Sequence, residues 1–535
     1  MNRSLLYVAA LSIIFLINSC TDDFTELNTD PKNLTVDNLS QSEYGAVVKA
    51  AMYAPAYLPS TAPNDARGAF QLTQSLFSDI YGGYFATTAP NFDSDKFILV
   101  GGWLNGAFNY FYGNAAPQIK YAEDFAAENG YELENAMMKV WRVWSYHRIT
   151  DYWGPIPYSE FGNGERSVPY DSQEDIYRDF FTTLDEAVPV LVSNAGETSF
   201  LGANDLIYGG NIDKWLKFAN TLRLRLAMRV KYVSLELSRT EAEKAASVGE
   251  FISSNDDRAI ITTSAPFFTN PYNTITQWGE FRMSADMESI LKGYEDPRVS
   301  AFVAPADEPD PSDDPAGVEF PYEGMRNGQS RLEKQSNNFN ALASNMAEPF
   351  TLAGVAGPNY VVMNAAESYF LRAEGALEGW NMGGTAQVFY EEGIITSHEE
   401  YGLDGSNLAG NPYVESPNTP ASYNGEVPAP SEAPVAYNAG GTKEQQLEQI
   451  ITQKWIAIYP NSQEAWAEKR RTGYPVFYDR LNTDNAAIPV NTVPRRVPFV
   501  DGEFTTNAEA VNAAIDNLLG GPNNGTTKLW WDAKP

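Results

Sequence analysis

The residue with the most specific chemistry is Cys20, the only cysteine in the chain. Its thiol follows Ser19, at the exit of a stretch that starts with Arg3 and runs through an apolar segment from Leu5 to Ile17. A basic start, a short apolar run and small or polar residues at its end make the pattern of a secretory signal. The run is too short to span a membrane as a helix, which takes about 20 apolar residues. A thiol at such an exit is where a bacterial lipoprotein is cleaved and acylated. The plainer alternative is an ordinary signal peptide with an unrelated cysteine nearby, and Asn18 fits an acylation signal imperfectly. On the first reading, residues 1–19 are signal peptide, residues 20–38 a lipid-anchored tether and residues 39–535 a single helical domain.

Aromatic side chains supply the second chemistry. They make up 13% of the chain, more than packing usually requires. The apolar faces of sugar rings stack on Trp and Tyr, and sugar hydroxyls take hydrogen bonds from Asn, Asp and Arg at the rim. Two stretches combine rings with such neighbours outside clean apolar stripes. One is Asp79-Ile-Tyr-Gly-Gly-Tyr84, running on to Trp103 and Asn105, where the glycines are expected to expose the rings; the other is Asn273-Thr-Ile-Thr-Gln-Trp-Gly-Glu280. Tyr81, Tyr84, Trp103, Asn105 and Trp278 are therefore the candidate ligand-binding residues. The competing reading is that these rings cap a helical core, since most Tyr and Trp residues are packing groups.

Other chemistries find little support. With two histidines, His147 and His398, and one thiol expected to be lipidated, there is no Cys/His metal cluster and no Cys–His dyad. No nucleophile elbow, phosphate-cradling loop or dinucleotide fingerprint occurs, so no cofactor is expected. A glycosidase pair of carboxylates is defined only by separation in space, and nothing in the sequence isolates one. The acidic, proline-broken segment 304–315 reads as a solvated loop; as a calcium site it lacks the spacing of an EF-hand. Net charge is −32, and loss of residues 1–19 removes Arg3 and no acid, giving −33. Such a surface repels nucleic acid and anionic lipid heads, so membrane attachment must come from the lipid.

The elements that must position these residues are mostly helical. Apolar residues recur at helical spacing from Leu39 to Pro55, Asp65 to Tyr84, Trp103 to Glu128 and Leu133 to Thr150. Pro155 and Pro157 bar a helix through Asp151-Tyr-Trp-Gly-Pro-Ile-Pro-Tyr-Ser-Glu160. Ser172 with Asp175 resembles a loose capping box ahead of Ile176. Asp213–Arg229 is a strong amphipathic helix whose interleaved arginines read as partners for buried or rim carboxylates, or alternatively as an anion site. Helices resume at Asn364–Leu377 and Ala386–Ser397, a pair like a degenerate tetratricopeptide unit, then at Lys443–Tyr459, Gln463–Arg471 and Asn507–Leu519. Residues 262–283, 303–360 and 405–440 lack periodicity and read as long loops. The fold class is mainly α, with tetratricopeptide-like helical repeats and long irregular loops.

Several of these stretches together resemble the SusD/RagB family, and more closely its SusD-like second branch. They are Cys20-Thr-Asp-Asp-Phe with Asn28-Thr-Asp-Pro31, Asp151–Glu160, the Trp215–Arg229 helix and Glu367-Ser-Tyr-Phe-Leu-Arg-Ala-Glu374. The most specific is Thr452-Gln-Lys-Trp-Ile-Ala-Ile-Tyr-Pro-Asn-Ser-Gln-Glu-Ala-Trp-Ala-Glu-Lys-Arg-Arg-Thr-Gly-Tyr474. The resemblance implies a lipoprotein of a Bacteroidetes-type outer membrane that faces the cell exterior, with Asp22 and Asp23 resembling the signal that sends it outward. It implies a lid on a SusC-type TonB-dependent transporter, capturing oligosaccharides, or peptides in some members, without catalysis. A surface glycoside hydrolase or accessory enzyme and a purely structural helical scaffold are the readings from other classes. The shared motifs carry fold and docking, so the resemblance assigns no ligand residue. If Cys20 carries the anchor, Cys20→Ala protein leaves the outer-membrane fraction on cell fractionation; retention as tight as wild type refutes the tether.

Overall fold

The computed structural model describes residues 40–61, 65–314, 319–404 and 412–535. Cys20, the signal segment and the tether lie outside them. The helices follow the apolar spacing: α1 is Gln41–Tyr53, α2 Ala116–Glu128, α3 Glu132–Trp153, α4 Gln173–Ser193, α5 Ile212–Arg229 and α6 Leu235–Val248. Further on come α7 Ala365–Leu377, α8 Ala386–Glu400, α9 Lys443–Ala457 and α10 Ser462–Thr472. Consecutive helices pack against each other, α2 on α3, α3 on α4, α5 on α6 and α7 on α8, and α7 also packs on α9. The α7–α8 crossing is close: a Cβ on Gly393 would stand 2.8 Å from the Phe370 ring. Gly45–Pro535 holds together as one unit.

Local signals explain several helix ends. The Ser172 hydroxyl accepts from the Asp175 amide at 3.1 Å and starts α4 as a cap. α3 runs three residues further than its apolar spacing predicts, through Asp151, Tyr152 and Trp153, and stops at Gly154, whose φ of 82° no other residue adopts cheaply. The helix is therefore barred only after Trp153, three residues later than expected. α6 and a helix at Ala285–Gly293 are additions that the spacing did not mark. Between Arg67 and Tyr81 the helix passes through a π-type stretch, Gln71–Ser78.

Among the described residues the strands form three antiparallel pairs: β1 (Phe85–Thr87) with β5 (Phe281–Met283), β2 (Ile156–Pro157) with β3 (Tyr170–Asp171), and β4 (Ala259–Ile261) with β6 (Tyr360–Met363). The first and third pairs join segments far apart in the sequence.

The centre of the helical body is charged. Asp151 of α3, Glu367 and Glu374 of α7, and Glu464 and Glu468 of α10 face Arg225 and Arg229 of α5, Lys231 just beyond it, Lys454 of α9 and Arg471 of α10. Arg225 grips Glu367 through two bonds of 2.8 and 2.6 Å, and Arg471 grips Glu374 through two of 2.6 and 2.7 Å. Arg229 reaches Glu468 at 2.6 Å and Asp151 at 3.3 Å. All ten residues are buried. Burial alone raises the Glu464 carboxyl, yet Arg229, Lys454 and Arg225 outweigh it and hold it well below the usual range. The arginines of α5 are thus partners of buried acids.

Asp79 is the contrasting case. It is buried and accepts from the Tyr272 hydroxyl at 2.9 Å. Burial pushes its pKa up to about 6, against the hydrogen bonds of Ser462, Tyr272, Gln74 and Ser75. A carboxyl raised in the folded state loses stability as pH climbs from its unfolded value near 4 through 6, because the unfolded chain then releases its proton more readily. Asp79→Asn should therefore match wild type near pH 4 and exceed it by roughly 1–3 kcal/mol at pH 8. Thermal melts across that range check it, and a constant difference at all pH values contradicts it.

Candidate functional site

The two aromatic stretches, about 190 residues apart, meet through the β1–β5 ladder. Its register sets Phe85 opposite Met283, Ala86 opposite Arg282 and Thr87 opposite Phe281. The pairing continues past the strands: the Thr88 amide donates to the Glu280 carbonyl at 2.9 Å, the Thr87 hydroxyl to the same carbonyl at 2.9 Å, and the Thr88 hydroxyl to the Gly279 carbonyl at 2.7 Å. Trp278-Gly279-Glu280 is therefore clamped against the end of the first stretch. Gly279 has a φ of 66°, and a Cβ there would stand 3.1 Å from Asn340, so the turn that presents Trp278 needs a glycine.

Trp278 is 44% exposed, a large ring facing solvent on a well-tied segment. The Thr276 hydroxyl donates to the Phe350 carbonyl at 2.9 Å, and Asn273 donates to the Pro349 and Leu352 carbonyls, both at 2.9 Å. Polar groups border it. Gln71 donates to Glu280 Oε2 at 2.6 Å, and Arg67, one turn before Gln71, reaches the Thr274 hydroxyl at 3.5 Å. Burial lifts the Glu280 carboxyl above its ordinary range, and the Gln71 hydrogen bond opposes the lift. Trp103, half-buried, meets Phe92 edge-on at 5.4 Å, and Phe92 in turn lies 6.1 Å from Phe281. A row of rings, Trp103–Phe92–Phe281, thus leads to the segment that carries Trp278. An exposed indole on a segment that carries amide and carboxylate groups suits stacking and hydrogen bonding of a polyhydroxylated chain.

The other predicted residues have different tasks. Tyr81 is fully buried, with its hydroxyl donating to the Ser94 carbonyl at 3.1 Å and its ring 5.4 Å from Trp466. Tyr84 is fully buried too; it stacks on Trp455 at 4.7 Å and donates to that residue's carbonyl at 2.6 Å. Neither presents a face to a ligand, which corrects the expectation that Gly82 and Gly83 expose them. The glycines are there for close approach: a Cβ on Gly83 would sit 2.3 Å from the Phe477 ring. Asn105 is half-buried and accepts from the Gly502 amide at 2.9 Å, tying down a C-terminal helix. Gln71 and Arg67 were missed, although their spacing of four puts both on one helical face.

Among the described residues, no group of three or more His, Cys, Asp and Glu is arranged to hold a metal ion, and no helix is long and apolar enough to cross a membrane. His147 is buried beside Arg225 and Arg229 of the central network, and burial pulls its pKa well down, followed by the repulsion of Arg225.

A profile of the SusD-like family, described as Susd and RagB outer membrane lipoprotein, matches residues 26–532. No curated protein sequence matches the chain. Among solved structures, a chitin-binding SusD homolog from Flavobacterium johnsoniae is 37% identical, covering 92% of this chain and 99% of its own with a TM-score of 0.80. A SusD homolog from Bacteroides vulgatus is 32% identical over 92% of this chain and 97% of its own, TM-score 0.80. One from Bacteroides uniformis is 31% identical over 93% and 100%, TM-score 0.79.

The geometry separates an exposed ring, Trp278, from a packing ring, Tyr84. Trp278→Ala should weaken oligosaccharide binding by roughly 1–3 kcal/mol, by analogy with base stacking on aromatic side chains, and leave the thermal melt unchanged. Tyr84→Phe should do the reverse, costing about 1–3 kcal/mol of stability by leaving the buried Trp455 carbonyl unpaired. Calorimetry with parallel melts measures both; equal affinity in Trp278→Ala and wild type moves the site elsewhere.

Proposed function

The chain belongs to the SusD-like family of outer membrane lipoproteins, and from that premise we propose that it is a nutrient-binding protein of the outer membrane that captures an oligosaccharide at the Trp278 face and breaks no bond. The observation that carries the proposal is a large exposed ring, Trp278, on a segment tied from both sides. A ring fixed in this way loses little freedom when a sugar stacks on it, so more of the contact energy remains as affinity. A chitin-binding protein at 37% identity points to chains of β-linked N-acetylglucosamine as the ligand class.

The protein would be anchored through Cys20, face the cell exterior and hand its ligand to a SusC-type TonB-dependent transporter. Among the described residues no helix is long and apolar enough to cross a membrane. Delivery then needs a partner that spans it, and closure over that partner is a rigid-body step that traps the ligand between the two.

The association has a direct test. Solubilised from its native membrane in mild detergent, the protein should co-purify with a large TonB-dependent β-barrel; recovery of the lipoprotein alone in several detergents contradicts the partnership.

A further inference from the structure

A cavity of about 620 Å³ opens where the C-terminal end of α10 meets segments 487–495 and 525–535. None of its lining residues belongs to the aromatic face, and its size is in the range of ordinary ligand pockets. Ile488 and Val493 give it an apolar wall, and Arg470, Arg495, Lys528 and Lys534 stand around it with Glu444. On a chain of net charge −32 such a cluster of cations is a local reversal of sign.

Two of the four are neutralised. Arg495 donates to Asp532 at 2.5 Å, and Lys534 pairs with Glu444. The other two are not. Lys528 is exposed, and among the described residues its ammonium reaches the Lys534 carbonyl, at 3.5 Å, and no carboxylate. Arg470 is 2% exposed and donates only to carbonyls, those of Trp466 at 3.2 Å, Asp151 at 2.7 Å and Arg495 at 3.0 Å. Its Nη2 has no acceptor among the described residues. The guanidinium stacks on Trp466 at 3.7 Å, which compensates a buried cation only in part. Burial brings its pKa down to about 9, the attraction of Asp151 and Asp532 notwithstanding. Among the described residues Arg470 therefore makes no direct hydrogen bond to a carboxylate, and the exposed Lys528 ammonium forms no ion pair.

We propose that this cavity is a second ligand site, separate from the Trp278 face, that takes the carboxylate of an acidic sugar unit such as a hexuronate. The wall formed by Ile488 and Val493 faces the C–H side of the ring, Lys528 donates a charge-assisted hydrogen bond to the carboxylate, and the Arg470 charge beneath adds attraction. The acidic surface elsewhere repels anions at long range, so binding depends on these near contacts and weakens as salt screens them.

Isothermal titration of the full chain with D-glucuronate at low ionic strength, with D-glucose as the neutral control, tests the site. Saturable binding of glucuronate and none of glucose is expected. Lys528→Glu, at an exposed residue without an ion pair, should keep the wild-type melting temperature and lose about tenfold or more in affinity, the size of one charge-assisted hydrogen bond. Trp278→Ala should leave glucuronate binding unchanged. Absence of glucuronate binding, an equal response to glucose, or undiminished affinity in Lys528→Glu overturns the proposal.

Discussion

The structure depends on a charge balance in its interior. Five acids and five bases from α3, α5 and the residues just beyond it, α7, α9 and α10 meet where a helical protein usually places leucine and phenylalanine. Taking such ions out of water costs several kcal/mol each, and only close, multiply bonded geometry recovers it. Removing one partner strands the other in a low-dielectric interior, a loss of about 3–5 kcal/mol. The network is thus a condition on register: α5 can lie against α7 and α10 only where Arg225 meets Glu367 and Arg229 meets Glu464 and Glu468. Apolar stripes alone tolerate sliding by a turn; paired charges do not.

A scaffold held from its centre leaves its loops free to specialise. The candidate site uses that freedom without becoming slack. The 272–280 segment is tied inward by the Tyr272–Asp79 hydrogen bond and sideways by the β1–β5 ladder, while Trp278 at its tip keeps its exposed face. The π-type turn Gln71–Ser78 belongs to the same arrangement, since Gln71 reaches Glu280 and Gln74 reaches the Tyr272 hydroxyl. π-turns inside helices recur at functional sites, where an altered pitch aims side chains that a regular helix would direct elsewhere. Rigidity in the support and exposure at the tip are what a binding platform requires.

Much of the helical frame was legible because apolar spacing is local: α1, α3, α5, α7, α8, α9 and α10 each announce themselves within a dozen or so residues. The role of the α5 arginines was legible too, because a cation inside an apolar stripe must find an acid or stay outside. What was missed depends on distant partners. α6, Leu-Glu-Leu-Ser-Arg-Thr-Glu-Ala-Glu-Lys-Ala-Ala-Ser-Val, packs on α5 through small residues such as Ala242 and Ala245 and shows little stripe of its own. Strands of three residues carry almost no periodic signal, so the ladder that unites the two aromatic stretches was invisible. Gly82 and Gly83 misled for a related reason: a glycine beside a tyrosine marks either an open turn or a tight approach, and only the Phe477 ring, almost 400 residues away, decides between them.

The central claim is capture without cleavage, and one measurement addresses both halves of it. Calorimetric titration of the protein with the hexamer of β-1,4-linked N-acetylglucosamine should give saturable binding, and chromatography of the recovered ligand should show the hexamer intact. No binding, or the appearance of shorter sugars, would contradict the account.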